Sequence, residues 1–122
     1  MAKILIVDDS TMSRGMLRRM LQPEGHEIIE AKNGLMAIEQ YALEKPDLVL
    51  LDMAMPDMQG TEVLKQLREF DAGARVVMAT ADLQALTRAT VMAAGAMGYM
   101  TKPFNAATVT ETVNCILQGM EV

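Results

Sequence analysis

The stretch DLVLLDMAMPDMQG, residues 47–60, carries most of the information about the fold. Its first part, residues 47–52, places four apolar side chains in a row, without the polar alternation of a strand that faces water on one side. Such a run is typical of a central strand in a parallel sheet that is buried on both faces. The second part, residues 53–60, contains Pro56 and Gly60, which predicts an irregular loop directly after the strand.

The same alternation of a short apolar run and a longer stretch of helical period continues on both sides of residues 47–60. Further strands are predicted at residues 3–8, 26–31, 75–80 and 97–101. Helices are predicted from a cap at Ser10 or Thr11 to about residue 22, over residues 35–45 after an Asn33-Gly34 turn, after Gly60, over about 83–94, and after Phe104. Five such units predict an α/β fold: a flavodoxin-like, doubly wound parallel sheet of order 2-1-3-4-5 with helices on both faces. No linker or repeat interrupts the series, so we expect one domain over residues 1–122.

The apolar spacing within each predicted helix indicates which side faces the sheet. In the first helix the inner side chains are expected to be Met12, Met16 and Met20 with Leu17 and Leu21. In the third they are expected to be Val63, Leu64, Leu67 and Phe70. In the last they are expected to be Val109, Val113, Ile116, Leu117 and Met120. Cys115 lies beside this last stripe and is expected to be an inert buried thiol.

Composition narrows the classes of function. The 122 residues are 51% hydrophobic and 22% charged, with a net charge of -5, which disfavours direct binding to nucleic acid. Aromatic residues make up only 3% of the chain, so platforms for stacking bases are not expected. The single cysteine cannot form an internal disulfide, no apolar run is long enough for a membrane span or a secretory signal, and we expect a cytoplasmic protein.

Polar side chains are concentrated where the predicted strands end. Asp8, Asp9 and Ser10 follow the first strand; Asp52, Thr80 and Lys102 come at the ends of the third, fourth and fifth. The carboxyl ends of parallel strands meet at one edge of the sheet, where such folds bind ligands, so these groups are expected to share a cleft. Clustered carboxylates repel one another and favour a hard cation, and Mg²⁺ is typically bound by a few carboxylates together with phosphate oxygens. With such a metal, one carboxylate could attack a phosphoryl group while the lysine and the hydroxyl bind its other oxygens.

These residues also resemble a known family, the receiver domains of two-component response regulators, and in particular its single-domain, CheY-like members. The resemblance covers essentially the whole chain. The matching motifs are Ile6-Val7-Asp8-Asp9, Asp52-x-x-Met55-Pro56-x-x-x-Gly60, Thr80-Ala81 and Lys102-Pro103-Phe104.

The resemblance implies a role for each polar residue of the cleft. Asp52 would be the phosphoacceptor. Asp8 and Asp9 would hold Mg²⁺ together with Asp52 and the backbone carbonyl of Ala54. Lys102 would contact a phosphoryl oxygen.

A second group of residues would carry the response to phosphorylation. Thr80 would move to bond the phosphoryl group, and Tyr99 would be the switch aromatic. The bond before Pro103 is typically cis in this family. Asp82, two residues after Thr80, would occupy a position that tunes the phosphoryl lifetime.

The function implied is a signalling switch that is not an enzyme. It would take a phosphoryl group from a sensor histidine kinase or a histidine phosphotransfer protein, and then bind a downstream protein target through its fourth helix, fifth strand and fifth helix. Lys102-Pro103-Phe104 continues into Asn105-Ala106-Ala107, unlike the acidic continuation of many DNA-binding regulators, so we expect a stand-alone monomer. The alternatives are a phosphoryl carrier in a phosphorelay, a receiver excised from a larger regulator and, more weakly, an aspartyl-phosphate phosphatase. That last class expects Asp-x-Asp after the first strand, whereas Asp8 and Asp9 are adjacent.

Overall fold

The computed structural model describes residues 2–81 and 85–119. Strands and helices alternate along these residues, with a short 3₁₀ turn at Gln22–Glu24. The strands are β1 Lys3–Val7, β2 Glu27–Ala31, β3 Leu48–Asp52, β4 Val76–Thr80 and β5 Gly98–Thr101. The α-helices are α1 Thr11–Leu21, α2 Gly34–Glu44, α3 Gly60–Phe70, α4 Ala85–Ala93 and α5 Ala106–Leu117.

The strands form one parallel sheet in the order β2-β1-β3-β4-β5, which confirms the predicted topology. Leu5 of β1 lies between Ile29 of β2 and Val49 of β3. The chain therefore adds β2 on one side of β1 and then reverses direction to add β3, β4 and β5 on the other side. Every residue of β3 and of β4 is buried, as expected for central strands with helices on both faces. The reversal opens a crevice between the carboxyl ends of β1 and β3.

Alternate side chains of each strand point into two separate cores. On one face, strand residues such as Leu5, Val49 and Met78 pack against α2, α3 and α4. On the other face, residues such as Ile4, Leu50 and Val77 pack against α1 and α5. The sheet is therefore doubly wound, with two helices on one side and three on the other.

Asn side chains mark the beginning of two helices. Asn33 caps α2, where its side chain accepts a hydrogen bond from the backbone N–H of Met36, and Asn105 caps α5 in the same way. Asn33-Gly34 lies at the junction between β2 and α2, as predicted, but the helix begins at Gly34, one residue earlier than expected. Ser10 caps α1 as predicted, accepting from the N–H of Ser13.

Two predicted inner side chains lie outside the core. Met12 is 75% exposed because it lies on another side of α1 from Leu17 and Leu21, the residues of this helix that are buried. Phe70 is 63% exposed, since it ends α3 beyond the sheet and places its ring edge-on to Tyr41. Residue 83, the predicted start of the fourth helix, lies outside the described residues, as do Met120 and Asp82.

None of the helices in the described part of the chain is both long enough and apolar enough to cross a membrane.

Candidate functional site

The polar residues predicted to share a cleft do meet at the carboxyl edge of the sheet. Asp8 directly follows β1, Asp52 is the last residue of β3, and Lys102 directly follows β5. The Lys102 Nζ lies 3.0 Å from Oδ2 of Asp8 and 3.1 Å from Oδ1 of Asp52. One ammonium group, positioned by β5, therefore contacts the ends of the adjacent strands β1 and β3, neither of which is a neighbour of β5 in the sheet.

Three carboxylates are grouped around this ammonium. Asp8, Asp9 and Asp52 each offer one oxygen, and these oxygens all lie within 4.8 Å of one another. Asp8 is 2% exposed and Asp52 is 7% exposed, whereas Asp9 is open to solvent. The cluster is thus buried on the sheet side and accessible from outside through Asp9.

The electrostatics of the site show that it holds more negative than positive charge. Burial raises the pKa of Asp52 above its ordinary value, and the nearby charges of Asp8 and Asp9 raise it further, although a hydrogen bond from Lys102 acts in the opposite direction. Burial on its own would lower the pKa of Lys102, but its hydrogen bonds to Asp8 and Asp52 raise it overall. The lysine therefore stays protonated without neutralising the cluster.

The donor set fits Mg²⁺. All three groups are hard carboxylate oxygens, which Mg²⁺ prefers, and they include no sulfur or imidazole. Asp8 is oriented from both sides, because its Oδ1 accepts the backbone N–H of Ser10 at 2.9 Å while its Oδ2 meets Lys102. A cation at this position would also counteract burial and the charges of Asp8 and Asp9, which together raise the pKa of Asp52.

The loop after Asp52, residues 53–59, is called the acceptor loop below. It includes Ala54, which is exposed and forms an isolated antiparallel bridge with Gln59. Gly60 closes the loop: its N–H donates to the carbonyl of Met53 at 2.7 Å, and a Cβ at Gly60 would collide with the backbone carbonyl oxygen of Asp52. The glycine predicted from the family motif is therefore required by close backbone approach.

Thr80 and Lys102 are linked through the backbone. Thr80 is buried at the end of β4, and its carbonyl accepts the N–H of Lys102 at 2.8 Å. The Lys102–Pro103 peptide bond is cis, as the resemblance implied. The Phe104 ring centroid lies 5.9 Å from the Lys102 Nζ, which adds a cation–π contact.

Tyr99 lies on β5, paired with Met78 of β4. It is half-buried and packs against the core shared by α2, α3 and α4. Its position suits the switch role, which stays a prediction.

Sequence reasoning missed a charged group that supports the site. Arg14 of α1 donates to the backbone carbonyl of Asp8 at 2.7 Å, and the carboxylate of Glu30 on β2 holds its guanidinium at 2.9 Å. Arg18 binds the same carboxylate at 2.7 Å. The available signal was weak: a cation in the first turn of a helix opposes the helix dipole, so Arg14 needed an acceptor nearby.

Cys115 and His26 lie away from this edge. Cys115 is half-buried, and the prediction of a buried thiol was wrong because it lines an open groove of about 940 Å³ between α1 and α5. His26 lies just before β2 at the opposite, amino edge of the sheet, beside a cavity of about 310 Å³ that Asp47 and Arg75 also line. Its placement agrees with its exclusion from the predicted site.

The chain matches the model of the response regulator receiver domain over residues 4–114. It is 42% identical to the chemotaxis protein CheY of Halobacterium salinarum, over 96% of this chain and 98% of that protein. It is 38% identical to sporulation initiation phosphotransferase F of Bacillus subtilis, over 91% of this chain and 90% of that protein. The solved CheY-like receiver domain from Methanospirillum hungatei superposes with a TM-score of 0.90 at 30% identity, over 96% of this chain and 94% of that one. The chain therefore belongs to the response regulator receiver family of two-component signalling.

Proposed function

We propose that this chain, as a receiver domain, is a phosphorylation-activated signalling switch with Asp52 as its phosphoacceptor. Receiver domains interact with histidine kinases or phosphotransfer proteins and with downstream targets. The observation that carries the proposal is the pair of contacts from Lys102, which places one cation against both Asp52 and Asp8 at the edge where the strand order reverses.

The proposed reaction is a phosphoryl transfer from a phosphohistidine of the partner. A carboxylate oxygen of Asp52 forms a bond to phosphorus while the phosphorus–nitrogen bond of the donor breaks, and its electron pair leaves on the imidazole. Lys102 then binds an oxygen of the transferred group, and the hydroxyl of Thr80 donates to another. Asp52 has to be ionised to attack, so its raised pKa favours transfer at neutral pH over transfer in acid.

Asp8, Asp9, Asp52 and the backbone carbonyl of Ala54 are proposed to hold Mg²⁺, as receiver domains generally do. When bound, the metal would supply positive charge against the oxygens of the transferred group. Lys102 is not sufficient for this role, because its single charge is shared between Asp8 and Asp52, and Asp9 adds a third carboxylate to the cluster.

The output is proposed to be a shift in conformational population. Thr80, drawn toward the phosphoryl group, would vacate space beside β5, and Tyr99 would turn inward. The surface that changes would be α4, β5 and α5, which would bind a downstream protein.

The reaction is proposed to stop at phosphorylation and self-dephosphorylation, without turnover of a separate substrate. The sequence after β1 supports a receiver over a phosphatase. An Asp-x-Asp phosphatase would carry its second acid two residues after Asp8, and that position is Ser10 in this chain. Phosphoryl carriage in a relay is the second candidate, favoured by the similarity to sporulation initiation phosphotransferase F. A monomeric state and a cytoplasmic location are also proposals.

The proposal is tested by intact mass after incubation with acetyl phosphate and Mg²⁺. Wild-type protein is expected to gain one phosphoryl group, and Asp52→Asn to gain it at least about 100-fold more slowly, because the amide cannot act as nucleophile. Asp47→Asn, at the opposite edge of the sheet, is the matched control and should react like wild type. Labelling of Asp52→Asn at the wild-type rate would show that another residue is the acceptor. Continued release of phosphate from a phosphomonoester would favour the phosphatase.

A further inference from the structure

The acceptor loop is attached to α2 as well as to the strand that carries Asp52. Asp57, in the middle of the loop, accepts the N–H of Gly34 at 2.9 Å through one oxygen and the N–H of Leu35 at 3.0 Å through the other. These N–H groups belong to the first turn of α2, where no acceptor is available within the helix. Asp57 is separated in the chain by 23 positions from Gly34 and by 22 positions from Leu35, so these are tertiary contacts.

Close packing accompanies the two hydrogen bonds. Met58 lies against Gly34 so tightly that a Cβ at Gly34 would collide with the Met58 Cγ and lie 2.8 Å from its Sδ. The Val63 Cγ2 would be 2.9 Å from the same Cβ. Gly34 therefore lets the Met58 side chain lie directly against the first residue of α2, and a larger residue there would force that side chain to shift.

The capping of α2 does not require Asp57. The side chain of Asn33 already caps the helix by accepting the N–H of Met36 at 2.8 Å. Asp57 is exposed, yet the two backbone hydrogen bonds from Gly34 and Leu35 lower the pKa of its carboxyl, so it is ionised at neutral pH. Asn33 and Asp57 thus bind different N–H groups of one helix end, and of these two side chains Asp57 is the one that connects that end to the acceptor loop.

The acceptor loop is consequently held at its base and at its middle. At the base, Ala54 is bridged to Gln59, and the N–H of Gly60 binds the carbonyl of Met53. In the middle, Asp57 is bound to α2. Ala54, whose carbonyl is the proposed backbone ligand, belongs to the base attachment and comes shortly before Asp57 in the loop.

We infer that Asp57 is a positioning residue for the metal site, because it fixes the acceptor loop to α2 and so holds the Ala54 backbone in place beside Asp52. This inference rests on the proposed function, since it assumes that the cation binds at Asp8, Asp9 and Asp52. Without the Asp57 attachment, the loop would have to be ordered during binding, and that entropy cost would weaken affinity. The α2 helix then contributes to metal affinity although it carries none of the proposed ligands.

The test is a titration of the full chain with Mg²⁺ by isothermal calorimetry. Asp57→Ala is expected to raise the dissociation constant for Mg²⁺ about fivefold. This loss of affinity is smaller than the roughly 10- to 100-fold loss that is typical when a residue in direct contact with a metal ligand is removed. Asp57→Asn keeps one acceptor oxygen and should fall between Asp57→Ala and wild type. Asn33→Ala is the matched control: it removes a cap from the same helix end without touching the acceptor loop, and should stay within about twofold of wild type.

A second measurement needs no metal. In metal-free Asp57→Ala, amide hydrogen exchange of the acceptor loop is expected to rise, whereas Asn33→Ala should raise exchange only in α2. If wild type binds Mg²⁺ and Asp57→Ala binds it equally well, the inference is overturned while the proposed function stands. Equal weakening by Asn33→Ala would also overturn it, since the effect would then be general loss of the helix end. A wild type that does not bind Mg²⁺ would overturn both.

Discussion

The two edges of the sheet carry similar charged residues in very different surroundings. At the amino edge, Lys3 pairs with Glu44 at 3.1 Å and with Glu27 at 3.9 Å, and its backbone N–H binds Asp47. These carboxylate side chains are well exposed, at 41% for Glu44 and 62% for Glu27. At the carboxyl edge, the Asp8 and Asp52 side chains that pair with Lys102 are only 2% and 9% exposed.

The difference shows that burial, more than the number of charges, distinguishes the site. Exposed pairs such as those of Lys3 are screened by water and salt and contribute little to stability. Buried carboxylates are costly unless they are paired, and Asp8 and Asp52 share a single ammonium with Asp9 nearby. A fold that keeps this excess of negative charge at one edge has retained it at the expense of stability, as functional sites often do.

The largest difference between the two edges is expected in the free energy of unfolding when the lysine of each edge is replaced by alanine. Lys102→Ala should lower the free energy of unfolding of the metal-free protein by about 2 kcal/mol, because it leaves buried carboxylates without a cation. Lys3→Ala should lower it by less than about 1 kcal/mol, since its partners remain in water. Urea unfolding in the presence of a chelator measures both. Equal losses for the two variants would mean that burial does not distinguish the edges.

Addition of Mg²⁺ is expected to have a smaller effect, confined to the carboxyl edge. At ten times its dissociation constant, Mg²⁺ should stabilise the wild type by about 1.4 kcal/mol, because it binds only the folded form. Asp9→Asn should lose most of this gain, while Asp47→Asn at the amino edge should keep it. Thermal melting with and without Mg²⁺ gives the comparison, and stabilisation that survives in Asp9→Asn would argue against a metal site at this edge.

The fold and the carboxyl edge could be predicted because both depend on local pattern. The unbroken apolar run before Asp52 identifies a central strand, and parallel strands necessarily bring their final residues to one edge. Side-chain direction at helix ends was harder to predict. Met12 shares a four-residue spacing with Met16 and Met20, but it lies about 140° to 180° around the helix from Leu17 and Leu21, the residues that are buried.

Contacts made by loops could not be predicted from pattern at all. The bond from Asp57 to Gly34 depends on how the acceptor loop crosses a helix 23 residues earlier in the chain. In the sequence, Asp57 is an ordinary residue after a proline, and Asn33-Gly34 is an ordinary turn signal. Their shared role becomes visible only when the tertiary approach places Met58 on the bare backbone of Gly34.

The smallest expected effect concerns the charge of Asp52 itself. Its pKa is raised in the folded protein, chiefly by burial, so the fold binds this proton more tightly than the unfolded chain does. Stability of the metal-free protein should therefore fall as pH rises from the ordinary carboxyl value, near 3.8, through the raised value, and the penalty should be complete above it. Asn at this position carries no charge at any pH. Asp52→Asn should accordingly melt at a higher temperature than wild type at pH 7.

The advantage of Asp52→Asn should shrink as the pH is lowered and should vanish below the ordinary carboxyl value, where Asp52 is protonated in both states. Melting curves from pH 3 to pH 8 in a chelator measure this difference. Asp47→Asn serves as the control for loss of an exposed carboxylate, and it should not gain stability at neutral pH because it removes an acceptor of the Lys3 N–H. A wild type that melts higher than Asp52→Asn at pH 7 would mean that Lys102 compensates the buried carboxylate in full. In that case the carboxyl edge, like the amino edge, would hold balanced charge, and the electrostatic demand for a cation would be gone.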